Sequence, residues 1–154
     1  MALQYNAMIE IILNSWSSFM ENALSELAHS LNTTTTTEGT FFEAILTESG
    51  TIEVICSNNT EFPIQVVMTE KQILAVTYLF KTSEIQSDKV AELNIALLEL
   101  SPLVPLSSTG MQGDHYILFG AMAISTDIKE IVHELEVQAE NTIDVLEAIE
   151  SLLN

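Results

Sequence analysis

The spacing of apolar residues switches between helical and strand periods along this chain. From about Asn6 to Leu31, residues Ile9, Ile12, Leu13, Trp16, Phe19, Met20, Ala23, Leu24, Leu27 and Leu31 recur at steps of three and four. An advance of about 100° per residue places them on one face, which predicts an amphipathic helix. The run Thr33–Thr37 ends it, because β-branched polar residues favour extended or irregular chain. Strand chemistry follows in Phe41–Thr47, Thr51–Cys56, Pro63–Thr69 and Ile73–Phe80. Ser49-Gly50, Asn58-Asn59 and Glu70-Lys71-Gln72 separate these runs as successive hairpins require. Pro63 is expected at a strand start, since proline cannot donate to a ladder.

A second helix is predicted after Ser87 as N-cap, with Asp88 in its first turn and Val90, Leu93, Leu97 and Leu100 inward. Pro102 ends it, because the residue before a proline is driven out of helical geometry. Leu103–Ser107 and His115–Ile124 read as two strands around a Gly110–Asp114 turn. Thr126 and Asp127 open a last helix to about Leu152, with Ile128, Ile131, Val132, Leu135, Ala139, Ile143, Leu146, Ile149 and Leu153 inward. The order α-ββββ-α-ββ-α, without regular βαβ alternation, predicts an α+β fold. Its antiparallel sheet carries packed helices, a single-domain sandwich over residues 1–154.

Charge narrows the possible partners. The 154 residues include no arginine, and four lysines face 22 carboxylates for a formal charge of −18. Apolar residues make up 47% and charged residues 17%, so the chain folds, and its carboxylates are expected on the surface of an apolar interior. Counterion release by basic side chains, the main source of nucleic-acid affinity, is out of reach. Neither glycine turn matches a phosphate loop or dinucleotide fingerprint. The longest apolar runs are too short to span a bilayer. Cys56 has no disulfide partner, and the apolar stretch Met8–Leu13 lacks the basic residue of a secretory signal, so a cytoplasmic protein is predicted.

Three constellations invite a chemical reading. Glu26–His29 and Glu130–His133 have the Glu-x-x-His spacing that serves di-iron bundles. Both histidines fall on polar helix faces in a strand-rich fold, so surface histidines are the reading. Asp114-His115 lies near Ser107 and Ser108, but no nucleophile elbow supports a triad. Cys56 sits in an apolar strand with no basic neighbour, as a buried inert thiol. No catalytic residue, cofactor or metal is predicted.

The last helix departs from ordinary patterning. Asp127, Glu130, Glu134, Glu136, Glu140, Asp144, Glu147 and Glu150 face a single Lys129. Neighbouring like charges at three- or four-residue spacing cost about 0.2–0.5 kcal/mol each. Glu147 and Glu150 also lie at the negative end of the helix dipole. Glu136, Glu140, Asp144 and Glu147 are therefore the candidate docking face for a basic protein partner, with a merely solvated face as the alternative.

A set of segments carries a resemblance. Glu61-Phe-Pro-Ile64, Thr69-Glu-Lys-Gln-Ile-Leu74, Ala91-Glu-Leu-Asn94 with Ala96-Leu-Leu98, and Pro105-Leu-Ser107 come first. Gly113-Asp114 with Tyr116, Phe119-Gly120-Ala121, and Ile131-Val-His-Glu134 through Asn141-Thr142 complete it. Over about Glu61 to Ile149 the chain resembles the YjfI-like family of small acidic bacterial proteins. It departs at Met122-Ala123, where a Leu-Ser pair is expected, and at Ser151-Leu-Leu, where an aromatic is expected. That family has no established activity, so the resemblance implies kinship without chemistry. In element order, size and acidity the chain is also similar to the small acidic chaperones of type III secretion, which implies dimers that bind a partner chain without catalysis.

These readings converge on a non-enzymatic, cytosolic, chaperone-like binding or adaptor protein that forms a homodimer. Two alternatives stand beside it. One is an acidic decoy that mimics nucleic-acid charge and binds a basic protein. The other is an enzyme whose site assembles only in three dimensions.

Overall fold

The fold is described from a computed structural model over residues 19–154. The part of the first expected helix before residue 19 lies outside the described residues. From 19 to 33 the chain is helical (α1), and Leu24, Leu27, Ala28 and Leu31 are buried. Asn32 fastens the end of this helix to the sheet. Its Nδ2 donates to Ala28 O at 3.0 Å and Ala44 O at 2.8 Å, and its Oδ1 accepts from Ala44 N at 2.9 Å. The threonine run then leaves helical geometry, as its side chains predict.

Six strands follow: β1 (Phe42–Leu46), β2 (Ile52–Cys56), β3 (Asn59–Met68), β4 (Gln72–Lys81), β5 (Ser108–Gln112) and β6 (His115–Ala123). They form one antiparallel sheet in the order β1-β2-β3-β4-β6-β5. Helices α2 (Val90–Leu100) and α3 (Ile128–Ile149) complete the expected α-ββββ-α-ββ-α order. Alternation along each strand sends Phe42, Ala44, Ile52, Val54, Ile64, Val66, Ile73 and Ala75 to the helix-bearing face, where all are buried. Two apolar clusters lie there. One gathers α1, strands β1 to β4, Met122 and the N-terminal half of α3, and the other α2, Phe80, Tyr116, Leu118 and the C-terminal half of α3.

Polar side chains of α3 form the seam between the clusters. Gln138, 2% exposed, donates from Nε2 to Thr77 Oγ1 at 2.9 Å and Ala75 O at 3.3 Å, tying the helix to β4. Asn141 donates to Pro105 O at 2.7 Å and Ser107 Oγ at 3.1 Å. Thr142 Oγ1 donates to Gln138 O at 2.9 Å.

Several expectations need correction. Pro63 is inside β3 rather than at its start, and it falls in the register break between Val54↔Ile64 and Cys56↔Asn59, where a missing donor is harmless. The turn before β3 is Ser57-Asn58, so Asn59 already pairs. Ser87 does not cap α2. Residues 87–89 form a turn, and Lys89 precedes the helix without a side-chain cap bond. The preceding chain is held by the C-terminus instead, with Gln86 N donating to Leu152 O at 3.2 Å and Gln86 Nε2 to Leu153 O at 2.8 Å. Val90, expected inward, is exposed.

Leu103–Ser107 is no strand. The helix runs on as a 3-10 turn through Ser101–Leu103, and Leu106 then adopts a left-handed φ of 59°. Asn141 pins both sides of that residue, so β5 starts at Ser108 and Gly110 lies within it. A Cβ at Gly110 would sit 3.1 Å from the Phe119 ring, which explains a glycine inside this strand. In α3, Val145 is buried where Ile143 was expected, and Ile143 is 41% exposed. The α-helix stops at Ile149 and a 3-10 turn covers Glu150–Leu152.

Candidate functional site

Asp127 positions the acidic helix. Its Oδ1 accepts from Lys129 N at 2.9 Å and Glu130 N at 3.2 Å, as expected of an N-cap carboxylate. Further along α3, Glu140, Asp144 and Glu147 are exposed and lie on one stripe of the helix. Among the described residues, the one bridge between a lysine and a carboxylate is Lys89–Glu92 at 2.8 Å, on α2. The three carboxylates of the stripe thus carry no ion-pair partner among the described residues.

Glu136 does not belong to this face. It is 5% exposed, and Thr36 Oγ1 donates to its Oε1 at 2.6 Å. On a bare helical wheel it lies only about 40° from Glu140, so spacing alone assigns it to the stripe. The threonine-rich loop after α1 folds over that part of α3 and covers it. Asn58 Nδ2 also donates to Glu136 O at 3.1 Å, closing the cover from the β2–β3 turn. Beneath it, Cys56 is 1% exposed, and burial, followed by the Glu136 charge, pushes its thiol from 9.0 up to about 12. Glu134 is held above the usual carboxylate range, first by burial and then by Glu130, while His133 acts in the opposite sense.

Two grooves flank the exposed stripe. A groove of about 450 Å³ separates it from the β2–β3 turn, and Phe62, Ile143 and Leu146 supply its apolar wall, with Glu61 and Glu147 at its rim. A smaller one, about 140 Å³, lies toward the end of α2, with Asp144 beside Leu100, Leu103 and Val104. Leu103 is 76% exposed and Ile143 41%. The stripe is therefore an acidic ridge with apolar side chains on both sides, Phe62, Ile143 and Leu146 on one and Leu100, Leu103 and Val104 on the other. Sequence reading missed this apolar component, because Ile143 has core spacing and Leu103 lies in an apparent strand.

The remaining constellations stay apart. His29, Glu26, His133 and Glu130 are all exposed, as their polar-face positions predict. No group of three or more potential metal ligands comes together among the described residues. His115 Nδ1 lies 2.9 Å from Asp114 Oδ1, at the turn of the β5–β6 hairpin. Ser108 pairs with Phe119 at the opposite end of that hairpin, and Ser107 is buried against Asn141. Among the described residues no helix is long and apolar enough to cross a membrane.

Residues 21–153 match the profile of DUF2170, described as an uncharacterised protein conserved in bacteria. The uncharacterised protein YjfI of Escherichia coli strain K12 is 29% identical over 94 residues, which span 58% of this chain and 69% of YjfI. The resemblance read from residues 61–149 therefore holds, and the family match extends it back to residue 21.

Three solved structures share the fold at low identity. A chain of the HopA1–SchA chaperone–effector complex has TM-score 0.54 and 15% identity, covering 84% of this chain and 94% of that one. YbjN from E. coli has TM-score 0.56 and 12% identity, covering 73% and 84%. A chain of the heterodimeric ExoU–SpcU complex from the type III secretion system of Pseudomonas aeruginosa has TM-score 0.51 and 15% identity, covering 67% and 87%. The likeness to the secretion-chaperone fold read from element order is thereby shown at the level of fold.

Proposed function

The chain belongs to the DUF2170 family, and we propose that it is a non-enzymatic, cytoplasmic, chaperone-like binding protein that holds a basic amphipathic segment of a partner. The carrying observation is the ridge of Glu140, Asp144 and Glu147, without ion-pair partners among the described residues and set between two grooves that each carry apolar side chains, the larger of them with a polar wall opposite. Lysines or arginines of the partner meet the ridge, and apolar side chains on either side of them enter the grooves. The ridge residues advance by four and then three positions, about 6 and 4.5 Å along the axis, which suits basic residues at similar spacing. The like-charge strain of an isolated acidic stripe is relieved when a cation binds it. The fold shared with chains of two chaperone or secretion complexes supports a holding role over a catalytic one. The protein acts as a homodimer.

The test uses a fluorescein-labelled helical peptide with lysines at four-residue spacing along one face and leucines flanking them on either side. Its anisotropy is titrated with wild-type protein and with E140Q/D144N/E147Q. Exposed ion pairs of about 0.2–1 kcal/mol each place the expected loss of affinity at about three- to a hundredfold. A charge-matched control, E26Q/E48Q/E70Q, removes the same number of exposed carboxylates elsewhere and is expected to weaken binding less than about twofold. Equal losses in the two variants would show that net charge alone attracts the peptide, and the reading would fail.

A further inference from the structure

We infer that the hollow over Gly120, between β6, α3 and the turn at Leu106, is a binding site for a primary ammonium group. It lies apart from the acidic ridge and does not depend on it.

Tyr116, Leu118 and Met122 of β6 are buried beneath the helices, and alternation sends position 120 to the same face. A glycine among these large apolar neighbours leaves room in which a backbone or a ligand comes close. Oxygen surrounds that room. Outside the adjoining residues, the three heavy atoms nearest to the place of a Cβ are Leu106 O at 3.1 Å, Gln138 Oε1 at 3.2 Å and Glu134 Oε2 at 3.8 Å. One is a peptide carbonyl, one an amide oxygen and one a carboxylate.

Two of the three are fixed in place. Gln138 Nε2 lies 2.9 Å from Thr77 Oγ1, 3.3 Å from Ala75 O and 3.5 Å from Leu118 O. Carbonyls only accept, so the NH₂ group must face them and Oε1 must face Gly120. Gln138 is 2% exposed, yet this oxygen accepts no hydrogen bond among the described residues. Leu106 O is aimed by the left-handed φ of 59°, which Asn141 holds through its bonds to Pro105 O and Ser107 Oγ. Glu134 stands one turn before Gln138 on α3 and is half-buried, which leaves its carboxylate poorly served by solvent.

The donor set decides the ligand. Three acceptors with one negative charge repel anions. A water brings two donors and leaves one oxygen unserved, whereas an –NH₃⁺ group brings three donors and the matching charge. Calcium takes about six to eight oxygens, more than the hollow supplies. Leu106 is exposed and Glu134 partly so, which opens the site to the surface.

Nitrogen–proton correlation spectra of the full chain test this, read at the Gln138 side-chain NH₂ and the amides of Gly120 and Ser107. Methylammonium chloride is added to about 200 mM beside tetramethylammonium chloride, which has the charge without N–H donors, at equal ionic strength. Methylammonium is expected to give saturable shifts at these groups, and tetramethylammonium none. E134Q, on a partly exposed side chain, keeps the fold but removes the charge, and should weaken binding at least about tenfold. G120A puts a methyl group in the hollow and should abolish it. E140Q/D144N/E147Q should respond as wild type, so this site and the ridge can fail separately. Nα-acetyl-lysine amide separates the two sources of the ammonium group: tighter binding than methylammonium marks a lysine side chain, weaker binding a small free amine. No response to methylammonium, equal shifts with both cations, or a response that E134Q leaves unchanged overturns the site.

Discussion

Neutralising the acidic ridge should make the protein more stable while making it bind less. In E140Q/D144N/E147Q three like-charge neighbours disappear: 140/144, 144/147 and 147/150. At about 0.2–0.5 kcal/mol per exposed pair this returns roughly 0.6–1.5 kcal/mol. Glu147 lies in the last turn of α3, which ends at Ile149, so removing its charge from the negative end of the dipole adds about 0.3–1 kcal/mol. The expected gain is about 1–2.5 kcal/mol, or roughly 2–10 °C in Tm for a domain of this size. The assay is urea unfolding followed by circular dichroism in 20 mM salt, repeated at 0.5 M, where screening should remove more than half of the gain. The 136/140 pair is left out because Glu136 faces the loop after α1. Destabilisation by the triple substitution, or a gain indifferent to salt, would refute the picture of an unpaired ridge. Opposite signs for stability and binding would mark these residues as kept for recognition rather than for folding.

Three further outcomes follow from the buried groups. Glu136→Ala removes a short bond from Thr36 and leaves a void, and should lower unfolding free energy by about 2–3 kcal/mol; Glu136→Gln keeps an acceptor and should cost less than about 1 kcal/mol in the same urea assay. Cys56, at about 12 instead of 9.0, should react with an aromatic disulfide reagent at pH 8 at least about a thousandfold more slowly in the native than in the urea-unfolded protein. Because the folded state raises this pKa, its contribution to stability is complete below pH 9.0 and is lost as pH climbs toward 12. Gln138→Met should cost about 1–3 kcal/mol by stranding Thr77, and adding Thr77→Val should recover much of it, a coupling read from a double-mutant cycle of urea midpoints.

Much of the architecture was legible because period and turn chemistry agree with tertiary need. Leu24, Leu27 and Leu31 keep helical spacing and are buried, and Asp127 caps α3 as its position suggests. The failures share a cause, which is contact between distant segments. Ser87 is a fair cap by sequence, but the C-terminal residues hold Gln86 and delay the helix. Leu103–Ser107 looks like a strand until Asn141, more than thirty residues later, fastens a left-handed turn at Leu106.

At the candidate site the wheel found Glu140, Asp144 and Glu147, yet it could not know that Thr36 would cover Glu136, one hundred residues away in sequence. The threonine run held the only hint, since its hydroxyls need partners once the helix ends. Gln138, Asn141 and Thr142 share the inward face of α3 with Ile131, Leu135, Val145 and Ile149, and no hydrophobic pattern reports a polar seam of that kind.

The most direct test of the ridge as a docking site is a ¹⁵N–¹H correlation titration of the full chain with the unlabelled lysine–leucine peptide. Binding at the ridge should shift the amides of Ile143, Asp144, Leu146 and Glu147 together with Phe62 and Leu103, which wall the two flanking grooves. Those shifts should vanish in E140Q/D144N/E147Q. Shifts spread over the exposed carboxylates of α1, the β1–β2 turn and α2, with none concentrated on α3, would contradict the account.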